Sequence, residues 1–182
     1  MNENPTITKT TLEGVFQILR PTFPDDRGFF RESIRTKELE AMSGIPFNIV
    51  QANHARSTKS TLRGIHIAPW NKLIYVTRGR VQAVIVDLKK DSPTFGQHQS
   101  FILGDENRAS IFVPAYCGNS YLVLSDEADY TYLTDQEWTP GRETSVAWDD
   151  PKLAIKWEYE GEPTLSERDK ANPTMKELYP EF

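Results

Sequence analysis

The chain is broken too often to build long helices. Short runs rich in branched and aromatic residues follow one another closely, and glycine, proline or small polar residues stand between them. Runs of this kind read as strands, and the material between them is too short for the crossover helices that a parallel sheet requires. The pattern predicts an all-β fold, a sandwich or barrel. Its clearest segment is Val81-Gln82-Ala83-Val84-Ile85-Val86-Asp87-Leu88, which ends in the turn cluster Lys89-Lys90-Asp91-Ser92-Pro93. The run 72–76 precedes it across Thr77-Arg78-Gly79-Arg80, and the two are expected to pair as a hairpin. Further strands are expected at 99–103, 109–113, 121–124, 130–134, 145–148 and 153–157. Helical signal is confined to Thr36-Lys37-Glu38-Leu39-Glu40-Ala41-Met42, with Thr36 as cap and a stop at Ser43-Gly44, and to one turn after Ser166. No repeat or linker divides the chain, so one domain is expected over residues 1–182, with extended N- and C-terminal segments.

Composition narrows the chemistry. A chain of 182 residues buries enough surface to fold without staples. Cys117 is the sole cysteine, which excludes an intramolecular disulfide and any cysteine-rich metal site. The histidines, His54, His66 and His98, form no His-x-His pair, so no metal and no cofactor are expected. The formal charge is −5 with no block of lysine and arginine, which argues against a nucleic-acid partner while leaving room for a few arginines around a small anion. No apolar run approaches the roughly 20 residues of a membrane span. The start Met1-Asn2-Glu3-Asn4-Pro5-Thr6 has neither a basic nor an apolar stretch, so a cytoplasmic location is expected.

Four clusters could carry chemistry. Asp25-Asp26-Arg27-Gly28-Phe29-Phe30-Arg31-Glu32 reads as a turn entering a strand. It is either a hairpin with a solvated charge cluster, or an edge from which Arg27 and Glu32 meet a polar ligand while Phe30 stacks on it. Gln51 and Asn53, two apart, share a strand face. Arg63 and His66 are three apart and would face oppositely unless a bulge, for which Gly64 is the natural place, brings them together. His66 is then a structural histidine or, in the company of Lys72, a base. Asp169, in Ser166-Glu167-Arg168-Asp169, is a helix-capping or surface carboxylate, or the partner that fixes a histidine tautomer. Tyr130 and Tyr132 share a face and either pack or donate a proton; Cys117 has no thiolate-activating neighbours in sequence and reads as a buried small hydrophobe.

Taken in order, Asp26-Arg27-Gly28-Phe29-Phe30-Arg31-Glu32, Gln51-Ala52-Asn53, Leu62-Arg63-Gly64-Ile65-His66, Lys72-Leu73, Asp91-Ser92-Pro93-Thr94-Phe95-Gly96, Trp148-Asp149-Asp150-Pro151 and Leu165-Ser166-Glu167-Arg168-Asp169 resemble the nucleotide-sugar 3,5-epimerase family, from about Gly14 to Pro173. The resemblance implies a metal-free cupin-type jelly roll, usually a dimer that exchanges N-terminal strands. It implies epimerisation of a nucleotide-diphosphate-linked 4-keto sugar at C3, C5 or both, by removal and return of a proton next to the ketone. By resemblance His66 is the base, Asp169 its partner, Lys72 the cation at the C4 oxygen and Arg63 the diphosphate clamp. Arg27, Phe30, Glu32, Gln51 and Asn53 match positions lining the substrate pocket, partly across the dimer, and Arg168 belongs with the binding residues.

Two departures stand out. Trp138 occupies the place of the family's usual donor tyrosine, and an indole cannot protonate a carbanion; Tyr132, water or a lost inversion must account for it. Asn119 stands where the family carries a histidine. Together with the short segment Ile67-Ala68-Pro69-Trp70-Asn71, this is similar to the branch acting on GDP-linked 4-keto heptoses. A 3,4-ketoisomerase and a non-catalytic nucleotide-sugar-binding module are the alternatives on the same scaffold.

Overall fold

The computed structural model describes residues 6–159 and 161–181, so the reading of the first five residues lies outside it. In chain order the elements are β1 (Thr6–Lys9), β2 (Phe16–Leu19), β3 (Thr22–Asp25), β4 (Gly28–Arg31), α1 (Thr36–Ser43), β5 (Gln51–Thr58), β6 (Leu62–Ile67), β7 (Lys72–Arg78), β8 (Arg80–Asp87), β9 (His98–Gly104), β10 (Ser110–Val113), β11 (Cys117–Val123), β12 (Glu127–Thr134), β13 (Thr144–Ser145), α2 (Glu167–Lys170) and α3 (Met175–Leu178). They form a sheet in the order β1-β2-β10-β7-β12-β5, a second in the order β13-β6-β11-β8-β9, and a separate β3–β4 hairpin. The pairings are antiparallel, as expected of a cupin-type jelly roll.

Residues 72–88 do not form a hairpin. β7 pairs with β10 and β12 in one sheet, while β8 pairs with β9 and β11 in the other. The chain changes sheets at Gly79, whose φ of 86° and closeness to the Glu127 carbonyl leave no room for a side chain. The sign is the continuous apolar stretch Ala83-Val84-Ile85-Val86, in place of alternation, because β8 is buried on both faces.

Val81, Ala83 and Ile85 of β8 meet Ile74, Ile111, Tyr121 and Tyr130 between the sheets. Val84 and Val86 point the other way, under a C-terminal layer that includes Leu153, Ile155, Trp157 and Met175. The segment 153–157 is not a strand. Its alternating apolar residues pack on the sheet, but its backbone is held by a side chain: Gln82 donates to the Lys156 carbonyl (2.8 Å) and accepts from the Glu158 N–H (2.7 Å). On the outer face of the first sheet, Leu39 of α1 and Phe47 cover Phe16, Ile18, Leu73 and Phe112. Arg35, not Thr36, is the N-cap of α1, and it offers no capping side chain; Gly44 closes the helix as expected. The turn after Ser166 is α2, and α3 follows it under a Thr174/Glu177 capping box.

Candidate active site

One end of the sandwich opens into a cavity of about 230 Å³ whose wall includes His66, Arg63, Lys72 and Tyr132. Strand parity alone would separate Arg63 from His66. Tyr121 of β11 stands opposite Arg63 and Asn119 opposite His66, so two steps along β11 span three along β6. The extra residue is the bulge expected at Gly64, and it turns both side chains to one side. Glycine is required there, because φ is 129° and an added Cβ would lie 2.8 Å from the Ser120 Cα.

His66 Nε2 and Asp169 Oδ1 are 2.7 Å apart, across 103 residues of sequence. The Asp169 side chain is 5% exposed and that of His66 27%, so the carboxylate is sheltered while the ring reaches the cavity. Burial pushes the Asp169 carboxyl up, but the hydrogen bond and charge of His66, the Ser166 hydroxyl and the Gly64 backbone together outweigh it and hold it below its ordinary value. An ionised carboxylate only accepts, so Nε2 carries the hydrogen and Nδ1 of the neutral ring keeps its lone pair. That is the form of a general base.

Lys72, at the start of β7, is 4% exposed. Burial lowers its ammonium to about 8, against the opposing pull of Glu143. Tyr132, on β12 beside β7, is half-buried; burial first and Glu143 second push its phenol above the ordinary value, so it is protonated near neutrality. Glu143 takes a hydrogen bond from the Trp138 indole (3.2 Å) and lies 3.8 Å from Arg168. The Trp138 main-chain N–H donates to the Gln51 side-chain oxygen (2.8 Å), and the Gln51 amide donates to Asn53 (2.7 Å), so the shared face of β5 anchors the rim of the cavity.

The opposite wall is a chain of polar contacts. Arg63 Nε donates to Ser57 (3.1 Å), Ser57 lies 3.2 Å from the Tyr121 hydroxyl, and the Tyr121 ring stacks on Tyr130 with centroids 4.0 Å apart. The Tyr130 hydroxyl donates to Asn119 (3.0 Å). Of the residues expected at the site, His66, Lys72, Arg63, Tyr132, Asn119, Trp138 and Arg168 line this cavity, and Asp169 stands behind it. Gln51 and Asn53 support its rim. Arg27, Phe30 and Glu32 do not reach it: they sit on or beside the β3–β4 hairpin, where Arg27 pairs with Asp25 (2.6 Å) and Glu32 with Arg20 and Arg35. Glu143 and Tyr121 escaped the sequence reading as site residues, and of the two alternatives read for Tyr130 the structure shows packing, against Tyr121. No local pattern marks Glu143, which arrives through the loop between β12 and β13. A wider groove of about 580 Å³ near Lys89 and Tyr179 lacks any histidine. Among the described residues, no group of three histidine, cysteine or carboxylate side chains could hold a metal ion.

A jelly roll with a carboxylate-held histidine, a buried lysine and a phenol in one cavity defines an isomerase that epimerises nucleotide-diphosphate-linked 4-keto sugars beside the carbonyl. The chain belongs to the dTDP-4-dehydrorhamnose 3,5-epimerase family, whose model matches residues 9–177. It is 39% identical to the dTDP-4-dehydrorhamnose 3,5-epimerase of Pseudomonas aeruginosa over 166 residues, 90% of this chain and 92% of that one. It is similar to the crystal structure of a dTDP-6-deoxy-D-glucose-3,5-epimerase from Legionella pneumophila in complex with dTDP-4-keto-L-rhamnose. There the TM-score is 0.92 at 35% identity, covering 98% of this chain and 96% of that chain. A 3'-monoepimerase from Streptomyces bikiniensis in complex with dTDP-quinovose matches with a TM-score of 0.87 at 32% identity, covering 93% and 88%.

Proposed function

We propose that the substrate is a dTDP-linked 4-keto-6-deoxy sugar and that His66, polarised by Asp169, removes the proton from the ring carbon next to the ketone. The observation that carries this is the 2.7 Å His66–Asp169 contact in the wall of the cavity that holds Lys72. The C4 carbonyl makes its neighbouring C–H bonds acidic, and the Lys72 ammonium stabilises the oxygen charge that develops as the enolate forms. Tyr132, kept protonated, returns a proton to the other face of the ring. The Trp138 indole is not an acid; tied to Glu143, it forms a wall of the pocket. Arg63 and Arg168 take the diphosphate, for which a guanidinium fork is suited. The dTDP assignment rests on the relatives just described, each of which carries dTDP in its name or its bound ligand; none of those three is a GDP-heptose enzyme.

The working form is a homodimer in the cytoplasm, with residues 1–182 acting as one domain. In it the β3–β4 hairpin presents Arg27, Phe30 and Glu32 to the cavity of the partner. Phe23 at 59% and Phe30 at 68% exposure give the hairpin an apolar surface in search of cover. Among the described residues no helix is long and apolar enough to cross a membrane.

The test is deuterium exchange. In D₂O with a dTDP-4-keto-6-deoxy sugar, the wild type places deuterium at C3, C5 or both with the ketone still at C4, and His66→Asn places none while keeping its circular dichroism. Exchange that survives in His66→Asn removes the base assignment. A carbonyl that migrates to C3 makes the enzyme a ketoisomerase.

A further inference from the structure

The arginines divide by their partners. Arg20, Arg27, Arg35, Arg56, Arg80 and Arg168 each lie within 4.0 Å of a carboxylate. Arg63 faces the cavity with His66. Arg31 and Arg108 are different: both are partly buried, neither pairs with a carboxylate among the described residues, and they line one separate cavity of about 280 Å³ with Phe29, Ser33 and Thr77. Arg31 donates to the Arg108 main-chain carbonyl, and the Arg108 guanidinium lies 4.2 Å over the Phe29 ring. Arg108 Nε is shut off from solvent with no acceptor.

Bringing two guanidiniums together without a counter-charge is unfavourable, and burial makes it worse because the surroundings screen less. The arrangement nonetheless is built: β4 supplies Phe29 and Arg31 on one face, the turn before β10 supplies Arg108, and the cation–ring contact fixes the fork. Phe30 lines the same cavity, so in the proposed dimer this site borders the hairpin surface that meets the partner. The two guanidiniums, with the Ser33 hydroxyl in the same lining, match the oxygen fringe of a phosphoryl group, whereas the Thr77 hydroxyl is already donated to the Asp129 carbonyl (3.3 Å).

We infer that Arg31 and Arg108 form a second anion site, separate from the His66 cavity, which binds the phosphoryl group of a small phosphorylated molecule. This second site does not depend on the reaction proposed above. The partly buried Arg31 is held below the usual guanidinium range, by burial first and by Arg108 second, which agrees with a positive site awaiting an anion.

Calorimetric titration of the full chain with inorganic pyrophosphate tests it. The wild type is expected to bind two equivalents per chain, one of them lost in Arg31→Gln and in Arg108→Gln and the other in Arg63→Gln. Arg31→Lys, which keeps the charge but not the fork, should weaken the second site at least tenfold without abolishing it. Without ligand, Arg31→Gln should melt no lower than the wild type, because it relieves a like-charge pair. Equal stoichiometry in wild type, Arg31→Gln and Arg108→Gln overturns the site. So does a single equivalent that disappears with Arg63→Gln. A single equivalent lost in Arg31→Gln but kept in Arg63→Gln leaves the second site standing and removes Arg63 from the diphosphate role.

Discussion

His66 works as a base only while its partner stays ionised, and Asp169 has an environment that could have pushed it either way. Burial alone would favour the neutral acid; hydrogen bonds from the imidazole and the Ser166 hydroxyl, with the Gly64 backbone, decide for the carboxylate. Tyr132 answers to burial and to Glu143, and both favour the neutral phenol. The carboxylate that orients the base is therefore ionised while the acid keeps its proton. Tyr132→Phe separates the two halves of the reaction: deuterium wash-in through His66 should continue, while inverted product should fall on the order of 10²-fold or more, the usual size of one general-acid contribution. Inversion at the wild-type rate in that variant would hand the donor role to water. Lys72 limits the alkaline side, because its ammonium is lost as pH rises through about 8, and the rate should fall with it.

The elements place these groups through two small devices. One is the bulge at Gly64. A methyl group there meets Ser120, and the backbone is in a region that favours glycine, so Gly64→Ala should lose about 3 kcal/mol in urea unfolding and part Arg63 from His66. A Gly64→Ala variant with unchanged midpoint and activity would mean that β6 tolerates regular pairing. The other is the cap of α2, where the Ser166 hydroxyl accepts the Asp169 N–H at 3.1 Å. Ser166→Ala should cost about 1 kcal/mol and lower kcat more than it raises KM, since the cap holds a positioning carboxylate and touches no substrate. Both devices were legible beforehand: parity demanded a bulge between residues 63 and 66, and Ser166 stood before a helical turn. The pairing of β7 with β8 was misread because adjacent strands in sequence share a sheet only when the turn keeps them there, and at Gly79 it carries the chain across. The segment 153–157 has the alternation of a strand without its ladder, because the side chain of Gln82, 74 positions before Lys156, meets its backbone groups. Glu143 could not be found by period or motif, since only the packing of its loop brings it to Lys72 and Tyr132.

At the scale of the whole molecule, two groups buried on different strands govern how stability follows pH between 8 and 10, and their signs are opposite. Lys72 has a folded value of about 8, below its ordinary 10.5, so between those limits the unfolded chain binds more protons than the folded one. Stability therefore rises with pH from 8 to 10.5, and the full rise is about 3 kcal/mol. Cys117 goes the other way. Burial raises its thiol from 9.0 to about 12, so the unfolded chain loses its proton first and stability falls across that range. The contributions nearly cancel from pH 9 to 10.5, which predicts a broad wild-type maximum across that range, with loss above it. Lys72→Met should abolish the rise between pH 8 and 9 while leaving the alkaline loss, and Cys117→Ala should let stability keep rising from pH 9 to 10 while the phenols of Tyr121, Tyr130 and Tyr132, raised by burial, retain a loss above that, whatever each variant does to the midpoint at pH 7. Urea unfolding at half-unit steps from pH 7 to 11 measures this directly. A Lys72→Met curve parallel to that of the wild type would mean that the lysine is not titrating in a dry site, and an ammonium that keeps its ordinary affinity for its proton in water would no longer account for an alkaline limit on catalysis.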